Sequence, residues 1–259
     1  MMKRSEIDQM GNRVEFNFPP KRIISLVPSQ TELLHSLGLE DEVIGITKFC
    51  VYPQNWKREK RIVGGTKKLH LSVIDELQPD LIIGNKEENE REDILLLQEK
   101  YPVWMSNVTT LQDAYDMIYQ VGNICERSDR ATKIVELIQN TFSQLRKKEG
   151  SALYLIWMKP WMGVASDTFI HSILSEIGFV NALQSKSRYP ELSESDLENL
   201  NPDYVFLSSE PYPFKQKHLD KVKTYFPKAK GILVDGEYFS WYGSRLMKAP
   251  EYFNSLDLS

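Results

Sequence analysis

The sequence predicts an α/β protein with two lobes, each built on a central, mainly parallel β-sheet that helices cover. Short β-branched runs alternate with helical segments along the chain, which is the pattern of parallel sheets. This pattern restarts after Gly150. In addition, the phrase around Pro79 returns around Pro202, 123 positions later, with Leu77 matching Leu200 and Glu87 matching Glu210. We therefore expect two lobes of similar build.

The first lobe begins with the run RIISLV at residues 22–27, which is typical of a buried strand. Ser29 and Glu32 have the spacing of a capping box, and Gly38 supplies a stop, so a helix is predicted between them. The alternation continues along the rest of the lobe. Further strands are predicted at 42–47, 81–84 and 103–105, and further helices at 72–77, 90–100 and 111–125.

A long helix is predicted at 129–148, where Ser128 can act as the cap and apolar residues recur at helical spacing. It would be roughly 30 Å long, enough to link two lobes. The second lobe then repeats the pattern, with a helix that ends at Gly178. Its strands are ALYLIWM, PDYVFLS and GILVDG. The predicted domains are residues 1–127, a linking helix at 128–149, and residues 150–259.

Composition excludes several classes of protein. A net charge of −4 and a pI of about 5.7 argue against nucleic acid as a partner. The first residues contain no apolar signal segment, and no run approaches the roughly 20 apolar residues of a spanning helix. We therefore expect no membrane insertion and a soluble, monomeric chain, cytoplasmic as the sequence stands and periplasmic if a leader was removed. Cys50 and Cys125 form no disulfide framework.

Catalytic signatures are scarce, which predicts a protein that is not an enzyme. The four histidines have no metal-site spacing, and neither a nucleophile elbow nor a dinucleotide fingerprint is present. Cys50 could ligate a soft metal as a thiolate, although a lone cysteine is more often a small packed residue. Glu87 and Glu88 could act as acid and base, but acidic loops are usually just solvated and one pair of carboxylates defines no reaction. No metal site and no prosthetic group are predicted.

Ligand binding is the better interpretation of the strand-terminal loops. Ligands of parallel α/β sheets bind at the carboxyl ends of the strands, where this chain carries polar residues at 86–89 and 210–214. Aromatic residues recur in the same loops, as a large, flat, partly polar ligand requires. Lys67, Lys86 and Arg245 would meet its polar groups. The candidate ligand-binding residues are Tyr52, Thr66, Lys67, Lys86, Glu87, Asn89, Trp157, Trp161, Glu210, Tyr212, Trp241, Tyr242 and Arg245.

Several of these segments resemble a known family. The phrases KRIISLVPSQTELLHSLGL, VIGITKFCVYP, VGGTK and LQPDLIIGNKEEN are similar to the first lobe of class III substrate-binding proteins, the helical-backbone receptors of cobalamin and iron-chelate ABC importers. NPDYVFLSSEPYPF and SWYGSRL resemble the second lobe of the cobalamin branch. The resemblance implies two Rossmann-like lobes, a rigid linking helix and a ligand cleft between the lobes. It implies a binding protein for a corrinoid such as cobalamin or a related metal chelate.

The resemblance leaves two alternatives and one question about partners. A ferric siderophore or haem could replace the corrinoid, or the chain could be a cytosolic corrinoid-processing enzyme that uses Glu87 and Glu210. In the family, one glutamate on each lobe pairs with arginines of the ABC permease. The matching positions here are Ser72 and Ser195, which argues against docking to an importer.

Overall fold

The computed structural model describes residues 2–258, which divide into two compact units. Unit 1 contains the described residues up to Val108 together with Gln112–Gln139 and Tyr242–Arg245. Unit 2 contains Thr109–Leu111, Asn140–Trp241 and the described residues from Leu246 onward. The boundaries predicted at 127 and 150 stay a prediction, but the return of four residues near the C-terminus to unit 1 was not foreseen.

Unit 1 is built on a five-stranded parallel sheet with the strand order β5-β4-β3-β8-β9. Helices α5 and α6 also carry residues of unit 2. The elements are β1 (Met2–Ile7), β2 (Arg13–Phe18), β3 (Ile23–Ser25), α1 (Pro28–Ser36), β4 (Val43–Ile46), α2 (Trp56–Glu59), β5 (Arg61–Ile62), β6 (Gly64–Gly65), β7 (Lys68–Leu69), α3 (Leu71–Leu77), β8 (Leu81–Asn85), α4 (Arg91–Gln98), β9 (Val103–Ser106), α5 (Leu111–Ile124) and α6 (Ser128–Ser143).

Unit 2 has the strand order β13-β11-β10-β14-β15, in which β10, β14 and β15 are parallel and β11 and β13 are antiparallel. The short β12 pairs with β10. The elements are β10 (Ser151–Trp157), β11 (Trp161–Gly163), α7 (Phe169–Ile177), β12 (Val180–Asn181), β13 (Glu191–Leu192), α8 (Glu194–Asn199), β14 (Tyr204–Ser208), α9 (Gln216–Tyr225), β15 (Lys230–Val234), α10 (Gly236–Ser240), a 3-10 turn (Ser244–Met247) and α11 (Ala249–Ser255). The first two residues of the 3-10 turn belong to unit 1.

The internal match predicted from the sequence is a structural repeat. Strands β8 and β14 are 123 residues apart at both ends. Asp80 precedes β8 and accepts the backbone N–H groups of Lys21 and Arg22, at 2.8 Å each. Asp203 precedes β14 and accepts the N–H of Ser151 at 2.7 Å. Each aspartate thus ties its own strand to the start of the neighbouring parallel strand, and the prediction of an α/β fold with two similar lobes is confirmed.

The linking helix is shorter than predicted. It ends at Ser143, not at residue 148, which makes it about 24 Å long. Beyond it, Arg146 donates its N–H to the Asn254 side chain, and Lys148 donates its N–H to the Ile177 carbonyl. These tertiary hydrogen bonds replace the intrahelical ones, so the apolar spacing up to Leu145 overestimated the helix. The boundary between the two units falls inside the helix, after Gln139.

The start of α1 also differs from the prediction. The N-cap is Val27, with no side-chain cap, and Pro28 opens the helix. The predicted capping box of Ser29 and Glu32 is therefore wrong: Ser29 lies within the first turn, and Glu32 has another partner described below. The stop at Gly38 is confirmed by its φ of 73°.

An N-terminal hairpin of β1 and β2 was not predicted. Its turn is held by Asp8, which accepts the N–H groups of Met10 and Asn12 at 2.9 and 2.7 Å. The alternation that buries Val14 and Phe16 is short and was missed. Within residues 2–258, no helix combines the length and the apolar character needed to cross a membrane.

Candidate functional site

In unit 1 the candidate site is the loop that follows β8. Asn85 ends this strand, and its side-chain oxygen accepts the N–H groups of Glu87 and Glu88 at 2.8 and 3.2 Å. Asn89 turns back and accepts the N–H of Asn85 at 2.8 Å. This approach needs a glycine at position 84, because a Cβ there would lie 2.8 Å from the Asn89 side-chain oxygen. The polar loop is thus rigidly held by its own asparagines.

A buried layer of amides and hydroxyls lies beneath this loop. Gln30 donates to the Ser106 hydroxyl at 2.6 Å, and Asn85 donates to the same oxygen at 2.9 Å. Asn89 is 5% exposed and donates to the Thr66 carbonyl at 3.1 Å. Buried polar groups are costly unless they are bonded, so this layer fixes the loops of unit 1. The geometry gives Asn89 a structural task, and its predicted ligand contact stays a prediction.

Four of the predicted residues lie in this loop or next to it: Lys86 and Glu87 belong to it, and Thr66 and Lys67 lie beside it. The loop between β6 and β7 carries Thr66 and Lys67, and Lys67 donates to the Glu87 carbonyl at 2.8 Å. Its ammonium group also lies 3.4 Å from a carboxylate oxygen of Glu90. Lys67 and Lys86 remain exposed, while Thr66 and Glu87 are half-buried. The structure therefore places two adjacent loops, which together carry both positive and negative side chains, at the carboxyl edge of the sheet.

The returning segment Tyr242–Arg245 packs onto unit 1. Arg245 donates from Nε to a Glu32 carboxylate oxygen at 3.0 Å, and its guanidinium carbon lies 4.5 Å from the centre of the Tyr52 ring. Tyr242 is buried and donates its hydroxyl to Glu88 at 3.4 Å. Three predicted residues from two loops are thus brought to one unit: Tyr52 from the first lobe, and Tyr242 and Arg245 from the loop after the last strand.

Burial and the negative charge of Glu88 raise the pKa of Tyr242 well above its usual value. The phenol therefore stays protonated and acts as a hydrogen-bond donor. Glu32, the partner of Arg245, was missed because its spacing from Ser29 suggested a helix cap. A contact between residues 213 positions apart leaves no local signal in a single sequence.

Cys50 is a packed thiol within this unit. Its sulfur is fully buried, 3.0 Å from the Thr31 hydroxyl and 3.2 Å from the Thr47 hydroxyl. Burial raises its pKa, which disfavours the thiolate that binds metals. Between residues 2 and 258, no three side chains of His, Cys, Asp or Glu are grouped as metal ligands. The packed role favoured from the sequence agrees with this environment.

In unit 2 the loop after β14 carries Glu210, which organises its neighbours. One carboxylate oxygen accepts the Ser240 hydroxyl at 2.8 Å and the Trp241 indole N–H at 3.1 Å. Gly236 is required here, since a Cβ would lie 2.8 Å from the Glu210 Cγ. Trp241 is only 7% exposed. This carboxylate therefore holds a buried indole in place, and the ligand contacts predicted for both residues stay predictions.

The aromatic side chains of unit 2 fall into two groups. Trp161 belongs to the core and stacks on Phe214, with ring centres 6.3 Å apart and an interplanar angle of 8°. Trp157 is 38% exposed and meets the half-buried Tyr212 edge-on at 5.5 Å. Phe239 is fully buried. Trp157 and Tyr212 therefore keep accessible surface in this loop region, and their predicted ligand contacts stay predictions.

One exposed ring of unit 1 was missed. Phe49 follows β4 and is 51% exposed, with the Lys48 ammonium 5.0 Å from its ring centre. Val51 is also exposed at 36%. The phrase KFCVYP contains both residues, but a short apolar run does not show in the sequence which of its side chains are exposed. Because large exposed apolar side chains in a strand-terminal loop often contact a ligand, Phe49 joins the candidate site.

Comparisons with known proteins agree with this architecture. A family model described as Periplasmic binding protein matches residues 23–229. The Vitamin B12-binding protein of Vibrio campbellii is 27% identical over 199 residues, 74% of this chain and 72% of that protein. An uncharacterized ABC transporter substrate-binding lipoprotein of Bacillus subtilis, YvrC, is 24% identical over 213 residues, 77% of this chain and 67% of that protein.

A solved structure has the same fold. It is that of a possible iron-binding (periplasmic solute-binding) protein from Staphylococcus epidermidis, with a TM-score of 0.77 and 22% identity. The alignment covers 91% of this chain and 98% of that one. The two-lobed α/β fold and the family resemblance inferred from the sequence are both confirmed. Because the family model spans most of the chain, this protein is a member of the periplasmic binding protein family.

Proposed function

We propose that the protein binds a corrinoid of the cobalamin type, or a related metal chelate, as the substrate-binding component of an ABC importer. The observation that carries this proposal is the contact between the exposed Trp157 and the half-buried Tyr212, at the carboxyl ends of the parallel strands β10 and β14. Aromatic faces next to polar groups suit a large, flat ligand with amide side groups. The name of the Vibrio campbellii relative, a vitamin B12-binding protein, supports the same ligand class. The chelate would be cargo, without any resident prosthetic group.

The proposed role is binding without catalysis. Substrate-binding proteins form this family, and Glu210, one of the two carboxylates proposed for chemistry, has a structural task. Glu210 accepts hydrogen bonds from Ser240 and Trp241. Glu87 lies in a loop whose backbone is held by Asn85. A general acid or base has to reach a substrate proton, and a carboxylate that bridges two side chains is poorly placed to do so.

A ferric siderophore or haem is the second candidate ligand. The exposed ammonium groups of Lys67 and Lys86 favour it, since they suit the carboxylates of such ligands. The Staphylococcus epidermidis protein is described as possibly iron-binding, but at 22% identity its similarity shows the fold alone. Charge-neutralising variants at both lysines would weaken the binding of an anionic chelate and would change the binding of a neutral corrinoid little.

We propose an ABC permease as the partner and an exported location. Both follow from the family and from the name of the Bacillus subtilis relative as a lipoprotein. Ser72 and Ser195 are exposed on α3 and α8. The nearby acid Asp75 is already paired with Lys100 at 2.9 Å. A permease that contacts these helices would therefore meet hydroxyl groups at the two serines. Cell fractionation tests the exported location, and co-purification of the permease tests the partner.

The test of the ligand is a titration followed by tryptophan fluorescence. The chain has five tryptophans, and Trp56 and Trp104 are almost fully buried. Quenching by cyanocobalamin should therefore come mainly from Trp157, and Trp157→Phe should remove most of the signal while calorimetry still detects binding. The same titration with haem and with a ferric siderophore identifies the ligand class. Saturable binding of none of the three would overturn the proposal.

A further inference from the structure

Helix α9 and the turn after it carry a concentration of positive charge. Five exposed lysines lie within residues 215–228, with Asp220 as the only acid of this stretch. The whole chain has a net charge of −4, so this part of unit 2 opposes the overall sign. We call these residues the lysine face. They are Lys215, Lys217, Lys221, Lys223 and Lys228.

The lysine face is not neutralised within the part of the chain that the structure describes. None of its five ammonium groups forms an ion pair there, whereas Lys100 and Lys186 pair with aspartates at 2.9 and 3.0 Å. Lys217 and Lys221 are one helical turn apart, a spacing at which like charges destabilise a helix. The carboxylate of Glu194 accepts a hydrogen bond from the Tyr225 hydroxyl of α9 at 3.5 Å and forms no ion pair with the lysine face in the part of the chain that the structure describes. The internal compensation is partial. Asp220 lies three positions from both Lys217 and Lys223, and the Lys221 ammonium lies 5.6 Å from the centre of the Trp161 ring.

The helix presents these lysines from a fixed position. His218 and Val222 are buried beneath them, and the His218 Nδ1 atom accepts the N–H of Lys215 at 2.8 Å. Burial lowers the pKa of His218, and Lys217, Lys215 and Lys221 lower it further. The histidine thus experiences the positive potential of the lysine face. Since the apolar side of α9 is already packed in the core, this helix can bind a surface but has no free apolar side to insert.

The composition of the face indicates the kind of partner. Protein interfaces are enriched in arginine and aromatic residues and depleted in lysine. Residues 215–228 contain no arginine, and no large apolar side chain among them is exposed. Lysine ammonium groups on flexible stems suit a layer of mobile negative charges. We propose that the lysine face binds the surface of a bilayer that contains anionic phospholipids.

Vesicle co-sedimentation tests this proposal and is independent of the ligand. The variant is K217E/K221E/K223E, and the control is K3E/K57E/K133E, whose exposed lysines are scattered over unit 1 and also form no ion pair there. Both variants change the net charge by the same amount. Each lysine at an anionic surface strengthens binding about fivefold. We therefore expect the affinity of the face variant for phosphatidylglycerol vesicles to fall at least about hundredfold. The affinity of the control variant should stay within about fivefold of the wild-type value.

Several results would overturn the inference. They are equal binding to pure phosphatidylcholine vesicles, unchanged binding of the face variant, and an equal loss in the control. Wild-type binding should also disappear in 0.5 M NaCl, where the Debye length is about 4 Å. Binding to polyaspartate but not to the vesicles would identify an acidic protein as the partner and refute the lipid assignment. If the triple variant fails to fold, as judged by circular dichroism, lysine-to-glutamine changes at the same three positions repeat the test.

Discussion

The pair formed by Arg245 and Glu32 offers a sharp test of how the returning segment is held. Its atoms lie 3.0 Å apart, and the side chains are 10% and 22% exposed. Exposed ion pairs contribute about 0–1 kcal/mol, whereas losing one partner of a buried pair costs about 3–5 kcal/mol. This pair lies between these limits. We therefore expect Glu32→Gln to lower the free energy of unfolding by about 2 kcal/mol.

Arg245→Ala should cost about 3 kcal/mol, because it also removes the contact with the Tyr52 ring, which adds about 1 kcal/mol. The double variant should cost clearly less than the sum of the two single variants. We expect a coupling energy of about 1.5 kcal/mol, measured by urea unfolding of all four proteins in a double-mutant cycle. Hydrogen exchange of residues 242–245 should increase in each variant.

The chain provides a matched control for this cycle. Arg61 and Glu76 are 3.4 Å apart in the same unit, but their side chains are 60% and 66% exposed. Their coupling energy should stay below about 0.5 kcal/mol. A coupling energy between Arg245 and Glu32 that is no larger than this value would refute the argument. Arg245 would then be available for the ligand contact that the sequence predicted.

Three further predictions follow from the site and its supports. Trp157→Ala should weaken ligand binding with little change in stability, whereas Trp161→Ala should cost about 3–5 kcal/mol of unfolding free energy, as measured in urea. Gly84→Ala should destabilise the protein by about 1–3 kcal/mol, because its Cβ would meet the Asn89 side chain at 2.8 Å. The lowered pKa of His218 means that the unfolded chain binds this proton more readily. The contribution of His218 to the stability of the fold is therefore present above about pH 6.5 and is lost as the pH falls through the folded-state pKa. The urea midpoint of unfolding should fall between pH 7.5 and 5, and this fall should be smaller in His218→Gln.

Local patterns predicted the fold well, because strands and helices of an α/β protein leave periodic signals in the sequence. Strand β8 and helix α5 end within a residue or so of the predicted bounds. The failures occurred where a distant partner decides the local structure. Helix α6 stops early because Arg146 bonds to Asn254. The hairpin of β1 and β2 escaped notice because Asp8, a single side chain, closes its turn.

The site was predicted less completely, for a related reason. Loop position and residue type identified Trp157 and Tyr212, which do present surface. The same criteria selected Trp161, which packs in the core, because a sequence does not reveal which way a ring points. Glu210 combines a suitable position with a structural task that depends on Trp241, 31 residues away. The exposure of a side chain and its hydrogen-bonding or packing partners distinguish the accessible residues from the structural ones, and residue type alone does not.

The return of the chain to unit 1 at Tyr242–Arg245 matters for any attempt to produce the units separately. A fragment that ends at Gln139 would contain almost all of unit 1 but would lack these four residues. Glu32, Glu88 and the Tyr52 ring would then lose the contacts that Arg245 and Tyr242 provide. Such a fragment should be rescued by a peptide that carries YGSR, or by fusing that peptide to its end through a flexible linker. The boundary of this unit is therefore defined in space, and no single cut in the gene reproduces it.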